Sequence, residues 1–155
     1  MNRNFIKYWL PVILWLAFIF WMSTGTFSAE NSSLIIEPVL RFLAPEISSH
    51  AVETIHGTIR KAGHVTEYFV LSLLLFRALR GSSDEPWKRR WAFLAVIGVI
   101  LWALSDEFHQ SFVPTRTGSL VDVGFDAAGG ILAQFAGVFC LRRRGKRRRT
   151  PNKKG

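Results

Sequence analysis

The sequence predicts an all-α fold, an integral membrane bundle of four transmembrane helices. Three observations carry this expectation: the apolar residues fall into four separate blocks, Lys and Arg crowd onto alternate connections, and 49% of the 155 residues are hydrophobic. A helix crossing the hydrocarbon of a bilayer needs about 20 mostly apolar residues, and helices are the economical way to satisfy backbone groups there. The blocks are Phe5 to Met22, His64 to Leu79, Trp91 to Leu104 and Leu120 to Leu141.

The first block is long enough to span. It is also longer than the roughly 7–15 apolar residues of a secretory signal peptide, so the small residues around Thr26-Phe27-Ser28 are not read as a cleavage site. The second and third blocks reach spanning length only if the helices take in polar residues, back to about Lys61 and forward to about Gln110. The predicted helices are therefore about 5–23, 61–80, 91–111 and 119–141, a single membrane domain over 1–141. A long loop joins the first helix to the second. Within it Leu34 to Leu43, too short to span and interrupted by Pro38, is read as interfacial or re-entrant. Glu37 and Arg41 there have the i, i+4 spacing of a surface pair.

Short loops on the cytoplasmic side of a membrane retain Lys and Arg. A four-helix topology puts 16 of the 20 basic residues on one side, leaving Arg41, Arg60, Lys61 and Arg116 on the other with nine of the eleven acidic residues and all four His. Both termini are thus expected in the cytoplasm. The net charge of +9 and the isoelectric point near 10.6 would suggest nucleic acid in a soluble chain. Here the basic segment 142–155 is read instead as a topology anchor and irregular tail, since each Lys or Arg near an anionic leaflet contributes about 1 kcal/mol. No nucleic-acid partner is expected. The lone Cys140 excludes an intramolecular disulfide.

The polar residues at the helix ends form the candidate site. Lys61, His64 and Glu67 or Tyr68 lie three to four residues apart on the second helix, as do Asp106, His109 and Gln110 on the third, with Glu107 turned aside. Asp122 and Asp126 lie one turn apart on the fourth. Asp122 equally fits a capping role three residues after Ser119, and Lys61 could simply snorkel to the interface. Asp126 is harder to explain so simply, because an ionised carboxylate two turns into an apolar helix needs a partner or water. Gly129, Ala133 and Gly137 form a row of small residues that lets a neighbouring helix approach closely, read as a seam within the bundle.

In this order and spacing, Lys61-x-x-His64, Tyr68, Asp106-Glu107, Gln110, Pro114-Thr115-Arg116, Ser119, Asp122, Asp126 and Gly129-Gly130 resemble the polar signature of the VanZ-like family. Thr115 stands where that pattern often has Gly, and Asp126 where it often has Asn. The resemblance implies a multi-pass protein of the bacterial cytoplasmic membrane associated with low-level resistance to glycopeptides such as teicoplanin. It supplies no mechanism.

The expected function is binding of an envelope component, a lipid headgroup, a lipid-linked cell-wall precursor or a glycopeptide, in a polar pocket at the outer leaflet. Arg116 would clamp phosphate or carboxylate there. The alternative is a membrane hydrolase or transferase acting on a lipid-linked substrate, with a divalent metal held by residues such as His64, His109, Glu67, Asp106 and Asp126. No HExxH, GxSxG or Walker pattern is present, and no cofactor is implied. A proton transporter is a third reading, weakened by the scarcity of ionisable groups in the inner halves of the helices.

Overall fold

The computed structural model describes residues 3–24, 29–113 and 118–149, which form five helices: α1 (Arg3–Ser23), α2 (Ala29–Leu43), α3 (Ser49–Arg80), α4 (Arg89–Gln110) and α5 (Leu120–Arg149). Among the described residues there are no strands. Four segments are long and apolar enough to cross a membrane: α1, α3, α4 and the Leu120–Cys140 part of α5. The all-helical, four-span class expected from the apolar blocks is the class observed.

Side-chain contacts fix the directions of the helices. Near the start of α1 the Arg77 guanidinium of α3 lies 5.5 Å from the Tyr8 ring, while further along Trp15 Nε1 donates to the Glu67 carbonyl at 2.9 Å. α1 and α3 are therefore antiparallel. Phe20, near the end of α1, meets the His109 ring near the end of α4 at 4.8 Å, so those two helices run together. α5 runs with α3: His64 faces Asp126, and one turn after Tyr68 the Ser72 hydroxyl donates to the Gly130 carbonyl at 2.9 Å. The start of α1 and the C-terminal end of α5 thus lie at one end of the bundle with Arg77, Arg80 and Arg89. The candidate polar residues lie at the other.

Large apolar side chains such as Leu14, Trp21, Phe93, Leu101, Phe135 and Phe139 cover the outside of the bundle. An apolar exterior of this extent suits hydrocarbon rather than water. Inside, Val12 and Ile19 of α1, Leu71 of α3, and Val99 and Ala103 of α4 pack into a common core. α3 and α5 form the most extensive helix pair. They approach closely at Gly129, where an added Cβ would collide with the Val65 carbonyl, and Gly130 leaves a Cβ only 2.9 Å from a Val99 methyl group on α4. Ala133, one turn after Gly129, is fully buried, whereas a Cβ at Gly137 would meet nothing within 4 Å. The row of small residues thus forms a seam inside the bundle that closes toward the polar end. Deeper along it, Gln134 Nε2 donates to the Ser72 hydroxyl at 2.7 Å.

The structure differs from expectation in the segment after α1 and in the tail. α3 begins at Ser49 rather than near Lys61, because Ser48 caps it by accepting from the Ala51 amide at 3.2 Å and the following mixed polar turns continue the helix. At a rise of 1.5 Å per residue, its 32 residues extend about 48 Å against a hydrocarbon thickness of about 30 Å. Its first three turns therefore overhang. Much of the remaining long loop is also helical, in α2, which the shared hydrogen bond of 2.8 Å between Ser32 Oγ and His56 Nε2 ties to the overhang. Glu37 and Arg41 pair at 2.9 Å on the surface of α2. At the other terminus α5 continues to Arg149 through residues expected to form an irregular tail, since Arg and Lys propagate a helix already nucleated.

Gly129→Ala is expected to destabilise the protein by about 1–3 kcal/mol, the usual cost of overpacking. Gly137→Ala should leave stability unchanged or raise it. Thermal unfolding in detergent micelles distinguishes the two, and equal effects would show that α3 and α5 do not meet closely at Gly129.

Candidate functional site

At the polar end, His64, Glu67 and Asp106 line a recess of about 220 Å³ between α1, α2, α3 and α4. Ile19, Met22, Ile36 and Ile59 form its apolar wall, and Ser32 and Arg60 complete its polar side. A smaller cavity of about 80 Å³ lies on the α5 side, between Arg60, Lys61, His64 and Asp122. His64 and Arg60 face both. The i, i+4 step from Arg60 to His64 places the two side chains one turn apart on α3.

Behind this surface the acids are held by α4 and α5. Asp126 is fully buried, and its Oδ1 lies 3.3 Å from His64 Nδ1, the sole ion-pair contact of Asp126 among the described residues. That approach lacks the alignment of a hydrogen bond. Asp106 is 5% exposed, and Gln110, one turn later, donates from Nε2 to its Oδ2 at 2.9 Å. Asp106 Oδ1, both oxygens of Asp126 and the hydroxyl of the fully buried Tyr68 have no hydrogen-bond partner among the described residues. A buried polar group left unpaired costs about 1–3 kcal/mol, so this cluster is not assembled for stability.

The remaining expected site residues have other surroundings. Glu107, turned away from Asp106 on α4, accepts the Ser119 amide on Oε2 at 2.6 Å and so anchors the start of α5. Gly118 fits against the Glu107 carbonyl, where a Cβ would approach to 2.6 Å. His109 faces α1 and stacks against Phe20, away from the recess. Asp122 lies in the first turn of α5, preceded by the Ser119 hydroxyl that accepts the Val121 amide at 3.2 Å, and also lines the smaller cavity. The Lys61 ammonium lies 5.0 Å from the centre of the Phe125 ring. Arg116 lies outside the described residues.

Sequence reasoning passed over Arg60, counting it only as a charge that fixes topology, and Ser32 and His56, whose mutual contact requires α2 to fold back. It also missed Ser72 and Gln134. These share the faces of Tyr68 and Asp126 at helical spacing, a signal the sequence did contain. Among the described residues no three His, Cys, Asp or Glu side chains come together in an arrangement that could hold a metal ion. What the geometry offers is a small, largely apolar recess lined also by carboxylates, an imidazole and a guanidinium.

A double-mutant cycle checks the central pair. His64→Gln and Asp126→Asn should couple by about 0.5–2 kcal/mol in unfolding experiments, whereas His109→Gln and Asp126→Asn should be additive.

Comparison with known families gives a match that covers most of the chain. The model of the VanZ/LLP1 family aligns with residues 8–141, which include all four apolar spans nearly in full and every residue of the recess. No curated protein and no solved structure matches the chain. The extent of the family match, together with four membrane-length helices, identifies the chain as a multi-pass membrane protein belonging to the VanZ/LLP1 family.

Proposed function

We propose that this protein binds the headgroup of an envelope lipid or lipid-linked cell-wall precursor in the recess between α1, α2, α3 and α4, at the outer face of the bacterial cytoplasmic membrane. The observation that carries the reading is the convergence of His64, Glu67 and Asp106 on one cavity, with a buried Asp106 oxygen left for a ligand to satisfy. Ionisable groups within membrane helices are functional candidates because their burial is costly. Here they meet at the level where lipid headgroups lie: counting about 20 residues back along α3 from Arg80 reaches Lys61.

Size narrows the ligand. Pockets that enclose drug-sized molecules run to about 300–1,000 Å³, and the recess holds about 220 Å³. A headgroup fits where a whole glycopeptide does not. An effect on teicoplanin susceptibility would therefore act through the lipid or precursor that the antibiotic encounters, or through capture of only a small part of the drug. Arg116, in the connection between α4 and α5, supplies a further guanidinium suited to bidentate binding of phosphate. Hydrolysis or group transfer on a lipid-linked substrate would use the same recess, and recovery of the bound lipid unaltered separates binding from turnover.

A lipid carrying a photoreactive group on its headgroup should label the wild-type protein. His64→Leu and Arg116→Ala should each lower labelling by about tenfold or more, the effect of losing one charge-assisted hydrogen bond, with insertion into the membrane unchanged. Full labelling of both variants would remove the recess from consideration. The orientation has its own test: reporters fused after Glu46 should be active outside the cytoplasm, and those after Asp84 inside it.

A further inference from the structure

We infer that the recess selects a phospholipid headgroup bearing both a phosphate and a primary ammonium, with Arg60 binding the phosphate and Asp106 the ammonium. The inference rests on the headgroup-binding reading above and specifies its ligand. Arg60 is half-buried, faces both cavities, and makes no ion pair or hydrogen bond with another described residue. It occupies the turn of α3 that a count of membrane-spanning residues places at the headgroup plane. A guanidinium so placed is a preorganised phosphate site.

Below it the charge changes sign. Asp106, on α4, presents an oxygen without a described partner, and Gln110 holds the other oxygen, which fixes the carboxylate. Glu67 adds a second carboxylate to the same wall. A purely anionic headgroup would satisfy Arg60 but bring its charge close to two carboxylates. A headgroup with a primary ammonium satisfies both signs, because an ammonium carries N–H donors that Asp106 can accept, whereas a quaternary ammonium has none. Ile19, Met22, Ile36 and Ile59 leave an apolar path for the glycerol and the first methylenes of the chains. That path favours a lipid over its water-soluble headgroup.

The test is competition among phosphatidylethanolamine, phosphatidylglycerol and phosphatidylcholine for the full-length protein in detergent, read by native mass spectrometry. Phosphatidylethanolamine should be retained about tenfold or more over the other two. Asp106→Asn should abolish that preference while some lipid remains bound, and Arg60→Gln should lower retention of all three. Arg60→Lys should restore part of it, which separates loss of charge from loss of fold. Millimolar O-phosphoethanolamine should fail to displace the lipid, and its displacing the lipid would overturn the assignment to a membrane ligand. Equal retention of phosphatidylethanolamine and phosphatidylcholine would overturn the inference and leave headgroup binding intact. If the wild-type protein retains none of the three, headgroup binding itself fails.

Discussion

The close approach of α3 and α5 is the constraint on which the polar end depends. Because Gly129 lets the backbone of α5 approach the Val65 carbonyl, Asp126, one turn earlier on α5, comes within 3.3 Å of His64. A side chain at position 129 would move the carboxylate away from its imidazole. Without that partner a fully buried Asp126 would be uncompensated in a low-dielectric interior. The recess follows from the same contact. His64, held on one side by Asp126, becomes the shared wall of the two cavities.

α1 and α2 complete the site by different means. α1 is pinned to α3 by the indole of Trp15 on the Glu67 carbonyl, and to α4 by Phe20 on His109. α2 is tied to α3 by Ser32 with His56 and by Arg41, whose Nη2 donates to the Ser49 hydroxyl at 3.4 Å, and it turns large apolar side chains outward. α3 and α4 thus supply the charged lining of the recess, with α5 packed behind them, and α1 and α2 contribute much of its apolar wall. This division of labour explains why the carboxylates are buried while the recess they border remains open.

The four spans were legible because their apolar blocks are long and well separated, and the polar end because ionisable residues at three helix ends recur at helical spacing. Where α3 begins was not legible. Residues 49–60 mix His, Glu, Thr and Arg with apolar residues, so hydropathy gives no signal and only the Ser48 cap marks the start. Likewise, spacing alone put Asp106 and His109 on one face. In the structure His109 turns to the aromatic side chain that α1 offers, and Glu107 to the backbone of Ser119. Such choices depend on which helix lies alongside, information that one strand of sequence does not contain. The place of Arg60 in the recess was hidden for the same reason, since it requires α2 to fold back over α3.

The length of α3 gives the protein a ruler. Arg77 and Arg80 mark one end of its membrane-length segment and Arg60 the other, a separation of 20 residues from Arg60 to Arg80, or about 30 Å. Acyl-chain length decides where the phosphates of a bilayer fall against that scale. In a leaflet of matching thickness they meet the guanidinium, whereas longer chains lift them past it and shorter ones leave it standing in water. On the headgroup-binding reading proposed above, lipid composition would govern occupancy twice, through the chemistry of the headgroup and through the height at which it is delivered.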